Sequence, residues 1–431
     1  VLDQRVLTGL SSARNAGLGI RLVTGSISSP FTQSAIDHFL KSYPSARHVV
    51  YDRHPLHALA TVHRSGSQAA LPAFNFAAAK VIVAIDADFL GTWIAPVAFT
   101  KAYAAGRRIT PENPTLSFHA QIEARMSLSG SNADERLVAK PAEQAHILLW
   151  MARVLAQQLA GADKLQTLLS GIEKPAAFAR QLDLVLSQLL AHRGESLVVC
   201  GTNDESVQTV VATINHLLGA YGKTIHVNKI SYAFMSTETT LADTVKDAEA
   251  GRIGALIFYG VNPIYDSAWS GRLRAAIKTI PLTVSLNERT DESTQLCQMH
   301  APDHHFLESW GDARPISGTY SIQQPLLHPL FETRQAQESL LAWSGVAASA
   351  YDHLKQFWQE NLFTGSDAPH FKIFWTQLLQ TGVYSRAAGQ NDLSRVDDSQ
   401  RAVAALRPLS TPNAGLSLTL YDKVGIRDGR N

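Results

Sequence analysis

Short apolar runs alternate with segments of helical periodicity along two stretches of this chain, the rhythm of a doubly wound α/β sheet. The first stretch opens with Ile20-Arg21-Leu22-Val23-Thr24-Gly25-Ser26, continues through a helix near residues 33–42, and returns through His48-Val49-Val50-Tyr51. A second helix is expected over residues 56–63, then a strand Val81-Ile82-Val83-Ala84-Ile85 with the exit Asp86-Ala87-Asp88-Phe89-Leu90. The other stretch opens with Leu197-Val198-Val199-Cys200-Gly201 and a polar turn Thr202-Asn203-Asp204. Its helix is the clearest in the chain: Val207, Val210, Val211, Ile214, Leu217 and Leu218 share one face, with Asn203 or Asp204 as cap and Gly219 or Gly222 as stop. A strand over residues 255–260, a helix over 271–278 and a strand over 282–286 follow, and crossovers of helix length imply parallel order.

The expected architecture is therefore two doubly wound, mainly parallel-sheet α/β domains, at residues 15–145 and 191–310. Residues 146–190, rich in Leu, Ala and Gln, read as a helical connector. Beyond residue 310 the periodicity weakens and Pro315, Pro325, Pro329, Pro369 and Pro412 punctuate a region expected to wrap back on the core, with helical islands at 337–342 and 371–380. The tail from Ser410 reads as a terminal strand or an extended arm. In the wrapping region Trp310 and the stretch Pro315 to Pro329 admit two readings, a partner interface or packing onto the first domain. The exposure of Tyr320, Leu326 and Leu327 separates them.

Composition narrows the function classes. The chain has 431 residues, 45% of them hydrophobic and 17% charged, enough for two or three folded domains. A formal charge of +1, from 38 basic and 37 acidic residues, gives no footprint for nucleic acid or an anionic membrane surface. No apolar run approaches the twenty or so residues of a membrane helix, so no direct span is expected. The opening Val1-Leu2-Asp3-Gln4 has neither an initiator Met nor a signal pattern, as in a processed or trimmed chain. Only Cys200 and Cys297 occur, with no CxxC spacing, and a four-iron cluster needs four thiolates.

Ligands of doubly wound sheets bind at the carboxyl ends of strands, so the exits Thr24-Gly25-Ser26, Asp86-Ala87-Asp88, Gly201-Thr202-Asn203 and Gly260-Val261-Asn262-Pro263 are the candidates. Each is also readable as a tight turn with a helix cap. None forms GxGxxG, GxxxxGK[ST] is absent, and Ser26 does not sit in GxSxG, so nicotinamide binding, P-loop hydrolysis and α/β-hydrolase chemistry lack their fingerprints. Among the sixteen His residues the densest ligand cluster is Asp303-His304-His305 with Glu308. Adjacent His side chains diverge on helix or strand, which favours a capped turn leading into Phe306-Leu307 over a metal site.

Several of these segments together resemble signatures of the molybdopterin oxidoreductase family. They are the Asn-Pro turn Gly260-Val261-Asn262-Pro263-Ile264-Tyr265, Thr290-Asp291-Glu292-Ser293, and Ala301-Pro302-Asp303-His304-His305-Phe306-Leu307-Glu308-Ser309-Trp310-Gly311-Asp312. Val83-Ala84-Ile85-Asp86-Ala87-Asp88-Phe89-Leu90-Gly91-Thr92-Trp93 is similar to the family's strand and exit, and residues 127–136 to the segment before its second cofactor turn. The likeness runs in register over roughly residues 20–345. Where active members have Pro-Gly-Thr-Asp, this chain has Lys140-Pro141-Ala142-Glu143, without the Gly that lets a phosphate approach the backbone.

With residues 331–341, the chain most resembles the molybdopterin-oxidoreductase-like large subunit of alternative complex III. That resemblance implies a cofactor-free scaffold in a membrane-associated respiratory or photosynthetic quinol:acceptor oxidoreductase. Iron–sulfur clusters would lie in an associated half, beside a multihaem cytochrome and quinol-binding membrane subunits. The chain would be peripheral on the cytoplasmic membrane, at its periplasmic face, and non-catalytic by itself. The alternative is a catalytic molybdenum or tungsten domain holding molybdopterin guanine dinucleotide between the two α/β units at Gly25, Ser26, Asp86, Asp88, Asn262 and Asp303.

Overall fold

The structure is a computed structural model and describes every residue except 55, 112–113, 159–161, 235–236, 238, 388–392, 410–415, 428 and 430–431, with side chains 408–409 also outside the description. Two parallel sheets organise it. In chain order their strands are β1 (Gly19–Thr24), β2 (Ala46–Val50), β3 (Val81–Ile85), β4 (Phe118–Glu123), β5 (Glu135–Val138), β6 (Ser196–Cys200), β7 (Ile253–Tyr259), β8 (Leu282–Ser285) and β9 (Met299–His300). One sheet has the order β9-β8-β7-β1-β2 and the other β5-β4-β3-β6, every neighbouring pair parallel.

The chain divides into two compact units, each assembled from two segments: Val1–Pro55 with Tyr232–Ala388, and Leu56–Ser231 with Gly389–Asn431. This corrects the consecutive division at 15–145 and 191–310. The strands and helices lie where the periodicity puts them, but β1 pairs with β7 and β2, while β3 pairs with β4 and β6. Periodicity reports which faces of a strand are buried and not which strand lies beside it. All five residues of β3 and all five of β6 are buried, so each reads as a central strand whatever its neighbour.

In the first unit β1 and β7 send alternate residues to two apolar layers. Ile20, Leu22 and Ile257 pack with Val6, Leu10, Ile36, Phe39, Leu340 and Trp343, from the helices Leu2–Asn15, Pro30–Ser42 and Ala336–Trp343. Val23, Leu256 and Phe258 pack with Leu241, Val245, Leu273 and Ile277, from Leu241–Glu249 and Ser270–Ile277. Helices on both faces make this half doubly wound, as expected. The region after 310 adds an antiparallel ribbon, Gly311–Ile316 with Thr319–Gln323 and Val383–Ser385, over an aromatic layer of Phe31, Tyr320, Trp358, Phe374 and Trp375.

In the second unit the expected connector is part of the core. Ile147, Leu148, Trp150, Met151 and Leu155 of Pro141–Gln158, with Leu182, Val185 and Leu189 of Ala179–Ala191, bury against Val81, Val83, Ile122 and Val198 of the sheet. Leu and Ala on two or three sides of a helix mark burial against several neighbours rather than a linker. Ala402, Val403 and Leu406 close the same core, so the wrapping region is shared between the units: residues up to 388 belong to the first and those from 389 to the second. The helix Glu205–Leu217 forms as read, with Asp204 accepting from the Val207 amide at 2.9 Å. The start of the tail, residues 410–415, lies outside the described residues, and residues 416–420 form no regular element.

Phe258 is fully buried in one of these layers. Phe258→Ala is expected to lower the unfolding free energy of the first unit by about 3–5 kcal/mol. Leu418→Ala, at 83% exposure, should stay within about 0.5 kcal/mol of wild type in the same urea titration.

Candidate functional site

The carboxyl ends of β1, β7 and β9 hold four of the six candidate residues: Gly25, Ser26, Asn262 and Asp303. Tyr51 donates its amide to Thr24 O at 2.8 Å, which brings the β2 exit beside the β1 exit. The next residue, Asp52, receives the Ser26 amide on Oδ1 at 2.9 Å and the Ser26 hydroxyl on Oδ2 at 2.6 Å. A Cβ at Gly25 would lie 3.4 Å from the same Oδ1. The turn where a phosphate would meet backbone N–H thus already grips a carboxylate of its own chain.

The Asn-Pro turn is laced in a similar way. Asn262 accepts the Ser293 amide and hydroxyl on Oδ1, at 3.1 and 2.7 Å, and donates Nδ2 to Glu292 at 2.7 Å. Asn287 donates to Val261 O and to Asp291 at 2.8 Å each, and Asp291 caps the Thr294 amide at 2.8 Å. Asp303 accepts the amides of His304 and Ala336 at 2.9 and 2.8 Å. Near it Gln337 donates to Tyr259 Oη at 3.0 Å and to Thr32 at 2.9 Å. His305 and Glu308 form a reciprocal cap on the turn Phe306–Glu308, the capped-turn arrangement. Among the described residues no group of three or more His, Cys, Asp or Glu is placed to hold a metal.

Asp86 and Asp88 lie in the second unit. Asp86 has a left-handed backbone, φ +48°, and a Cβ at Gly201 would come within 2.1 Å of its carbonyl oxygen, so the β6 exit requires glycine. Burial raises the Asp86 carboxyl above its usual range against the pull of Arg125. Asp88 accepts both the amide and the hydroxyl of Ser129 at 2.9 Å. Glu123, which the sequence reading did not single out, is almost fully buried at the β4 exit. It accepts from Ser127 N (3.0 Å), Ser127 Oγ (2.6 Å), Gln121 (3.2 Å) and Arg136 (2.7 Å). Glu143 caps its own helix by accepting the Lys140 amide at 2.6 Å, at the turn that departs from the family pattern.

Asp52 was missed as well. The available signal was an Asp directly after an apolar strand, opposite a Gly-Ser turn. The two cysteines are free, and burial pushes their thiols up, Cys200 to about 11 and Cys297 to about 12, so both are neutral near pH 7.

Burial also pushes the Asp303 carboxyl from its ordinary 3.8 up to about 6, against the two amides that favour its charge. The folded value exceeds the unfolded one, so this group's contribution is full below about pH 3.8 and is lost as pH rises through about 6. Lowering the pH from 7 to 5 therefore stabilises the fold through Asp303. Asp303→Asn should remove that gain, on the order of 1–3 kcal/mol, in paired denaturations at the two pH values. Parallel pH slopes for the two proteins would refute the assignment.

No family model matches the chain. The menaquinone reductase, molybdopterin-binding-like subunit of Nitratidesulfovibrio vulgaris is 24% identical over 297 residues, covering 61% of this chain and 42% of that protein. The chain thus matches less than half the length of this relative. Acetylene hydratase from Pelobacter acetylenicus shares the fold at a TM-score of 0.64 and 12% identity, over 90% of this chain and 63% of the hydratase. The two parallel sheets and both likenesses agree: in fold and in sequence the chain is similar to molybdopterin-oxidoreductase-like proteins.

Proposed function

We propose that this chain is the cofactor-free scaffold portion of a membrane-associated quinol or menaquinol oxidoreductase, of the alternative complex III kind. The observation that supports it most directly is Asp52. Its carboxylate holds the Ser26 amide and hydroxyl, the donors a dinucleotide phosphate would need at the β1 exit. A phosphate there would have to displace Asp52 or lie against its charge. Asn262 and Asp88 are likewise engaged with Ser293, Glu292 and Ser129. These residues do not fit molybdopterin guanine dinucleotide, and no chemical step is assigned to it.

The curated relative is named as a subunit of a menaquinone reductase, which supports a place among electron-transfer subunits. The partners in this reading are an iron–sulfur half, a multihaem cytochrome and quinol-binding membrane subunits. Among the described residues no helix is long and apolar enough to cross a membrane; in this reading the chain attaches peripherally through those partners, at the periplasmic face.

Elemental analysis of protein purified from its native host, with fluorescence assay of oxidised pterin, tests the reading. Molybdenum, tungsten and pterin far below one per chain are expected. Stoichiometric metal with pterin would establish the catalytic alternative instead. Asp52→Ala should also cost about 1–3 kcal/mol in chemical denaturation, because it leaves two donors without their carboxylate. An unchanged midpoint would show that Asp52 does not clamp the turn.

A further inference from the structure

Within the second unit the tail comes down onto the exits of β3 and β4. Leu416, Leu418 and Leu420 are exposed, but the next residue, Tyr421, places its ring 4.0 Å from the guanidinium of Arg125, two residues past β4. The Arg125 Nε is buried without a hydrogen-bond partner, and the charge of this guanidinium acts on the Asp86 carboxyl at the β3 exit. Residues 423–427 then close a turn in which the Ile426 and Arg427 amides donate to Lys423 O at 3.2 and 2.6 Å. The turn sets Val424 against the loop that leaves β3: a Cβ at Gly91 would lie 2.9 Å from a Val424 methyl and 2.2 Å from Asp88 Oδ2. That loop is strained. Asp86 and Ile94 both have left-handed backbones, φ +48° and +55°, and a β-branched residue holds that conformation only where its surroundings impose it. Gly91 lies between the two in sequence, so Val424 bears on the middle of the strained loop.

We propose that residues 421–427 are an intramolecular clasp that closes the carboxyl ends of β3 and β4, the end at which doubly wound sheets take their ligands. The clasp rests on the reading of the exits as occupied by the chain itself and deepens it: the first unit fills its turn with Asp52, and the second covers its exits with the tail. Tyr421, Val424 and Ile426 each keep about half of their surface exposed, so few contacts hold the clasp and it opens without unfolding the unit. An exposed cation–π pair shifts an equilibrium about two- to fivefold, which makes the Tyr421 ring on Arg125 and the Val424 methyl on Gly91 joint determinants of the closed state. Closure has two consequences. It withholds the Arg125 guanidinium from solutes, and it props the strained loop between Asp86 and Ile94.

Hydrogen exchange of the whole chain, read peptide by peptide by mass spectrometry, tests the clasp. Tyr421→Ala combined with Val424→Ser should speed exchange in residues 86–95 and 124–131 at least about threefold. The helix Glu205–Leu217 of the same unit should keep its rate, which also reports that the variant is folded. If that helix exchanges faster too, the single variant Tyr421→Leu takes the place of the double one. Tyr421→Phe retains an aromatic face and should exchange like wild type. Modification of Arg125 by phenylglyoxal gives a second reading: its rate should rise about two- to fivefold in Tyr421→Ala and stay unchanged in Leu418→Ala, whose side chain is exposed. Metal and pterin content test the scaffold reading separately. Unchanged exchange and unchanged Arg125 labelling in a pterin-free protein would therefore overturn the clasp and leave that reading standing.

Discussion

Backbone N–H groups at the ends of parallel strands and at helix starts have no ladder partner, and a buried one left unmet costs about 1–3 kcal/mol. Here side-chain carboxylates meet many of them. Asp52 takes the Ser26 amide, Asp88 that of Ser129, Glu123 that of Ser127 and Glu143 that of Lys140. Asp312 receives the Phe31 amide and the Ser29 hydroxyl at the start of the helix Pro30–Ser42, and also the Trp358 indole. A carboxylate at a helix N-terminus is stabilised by the local dipole, and its bonds to N–H groups are charge-assisted. The same groups fix the geometry of the exits, since each bond joins segments distant in sequence or closes a turn that would otherwise open.

Satisfaction of donors does not leave every carboxyl equally content with its charge. Asp303 and Asp312 accept amides yet are raised, because burial outweighs those hydrogen bonds. Asp3 is lowered, chiefly by its hydrogen bonds with Arg334, and Asp247 chiefly by its bond with Arg252. Burial is the first difference, since Asp303 and Asp312 lie deep and Asp3 and Asp247 do not, and only the latter two hydrogen-bond a guanidinium directly. The first unit therefore has charge pairs nearer its surface and amide-held carboxyls deeper in, Asp303 after β9 and Asp312 at the start of the helix Pro30–Ser42.

Much of the local structure was legible because its causes are local. The helix Glu205–Leu217 needs only its apolar face and the Asp204 cap, both visible in the chain. The capped turn at His305 and Glu308 also lies within four residues. Pairing was not legible. The chain leaves the first sheet after β2 and returns to it at β7, roughly two hundred residues later. A run such as Val81–Ile85, buried on both faces, contains no mark of whether it belongs beside β1 or β6. Asp52 and Glu123 escaped for a related reason: an isolated acidic residue reads as solvated until tertiary structure puts two donors in front of it. Tyr320, Leu326 and Leu327 looked alike as residues of one weakly periodic stretch. The fold separates them by turning Tyr320 into the aromatic layer with Trp358 while the loop beyond faces outward.

Under the proposed scaffold reading, the occupied exits would give a physical sense to a fold kept for position. A dinucleotide-binding turn must hold backbone donors ready for an absent anion, which keeps unmet polar groups near the protein interior until the ligand arrives. Filling those positions with the chain's own carboxylates removes that penalty and ties the turns to their neighbours, at the expense of access. Asp52 at Ser26 and Glu143 at Lys140 are both solutions of this kind, one reached through tertiary contact and the other within a single helical turn. On that reading the fold would gain rigidity where a cofactor-binding protein needs an opening. In a subunit whose proposed task is to hold other redox subunits at fixed distances, rigidity is the property the task requires.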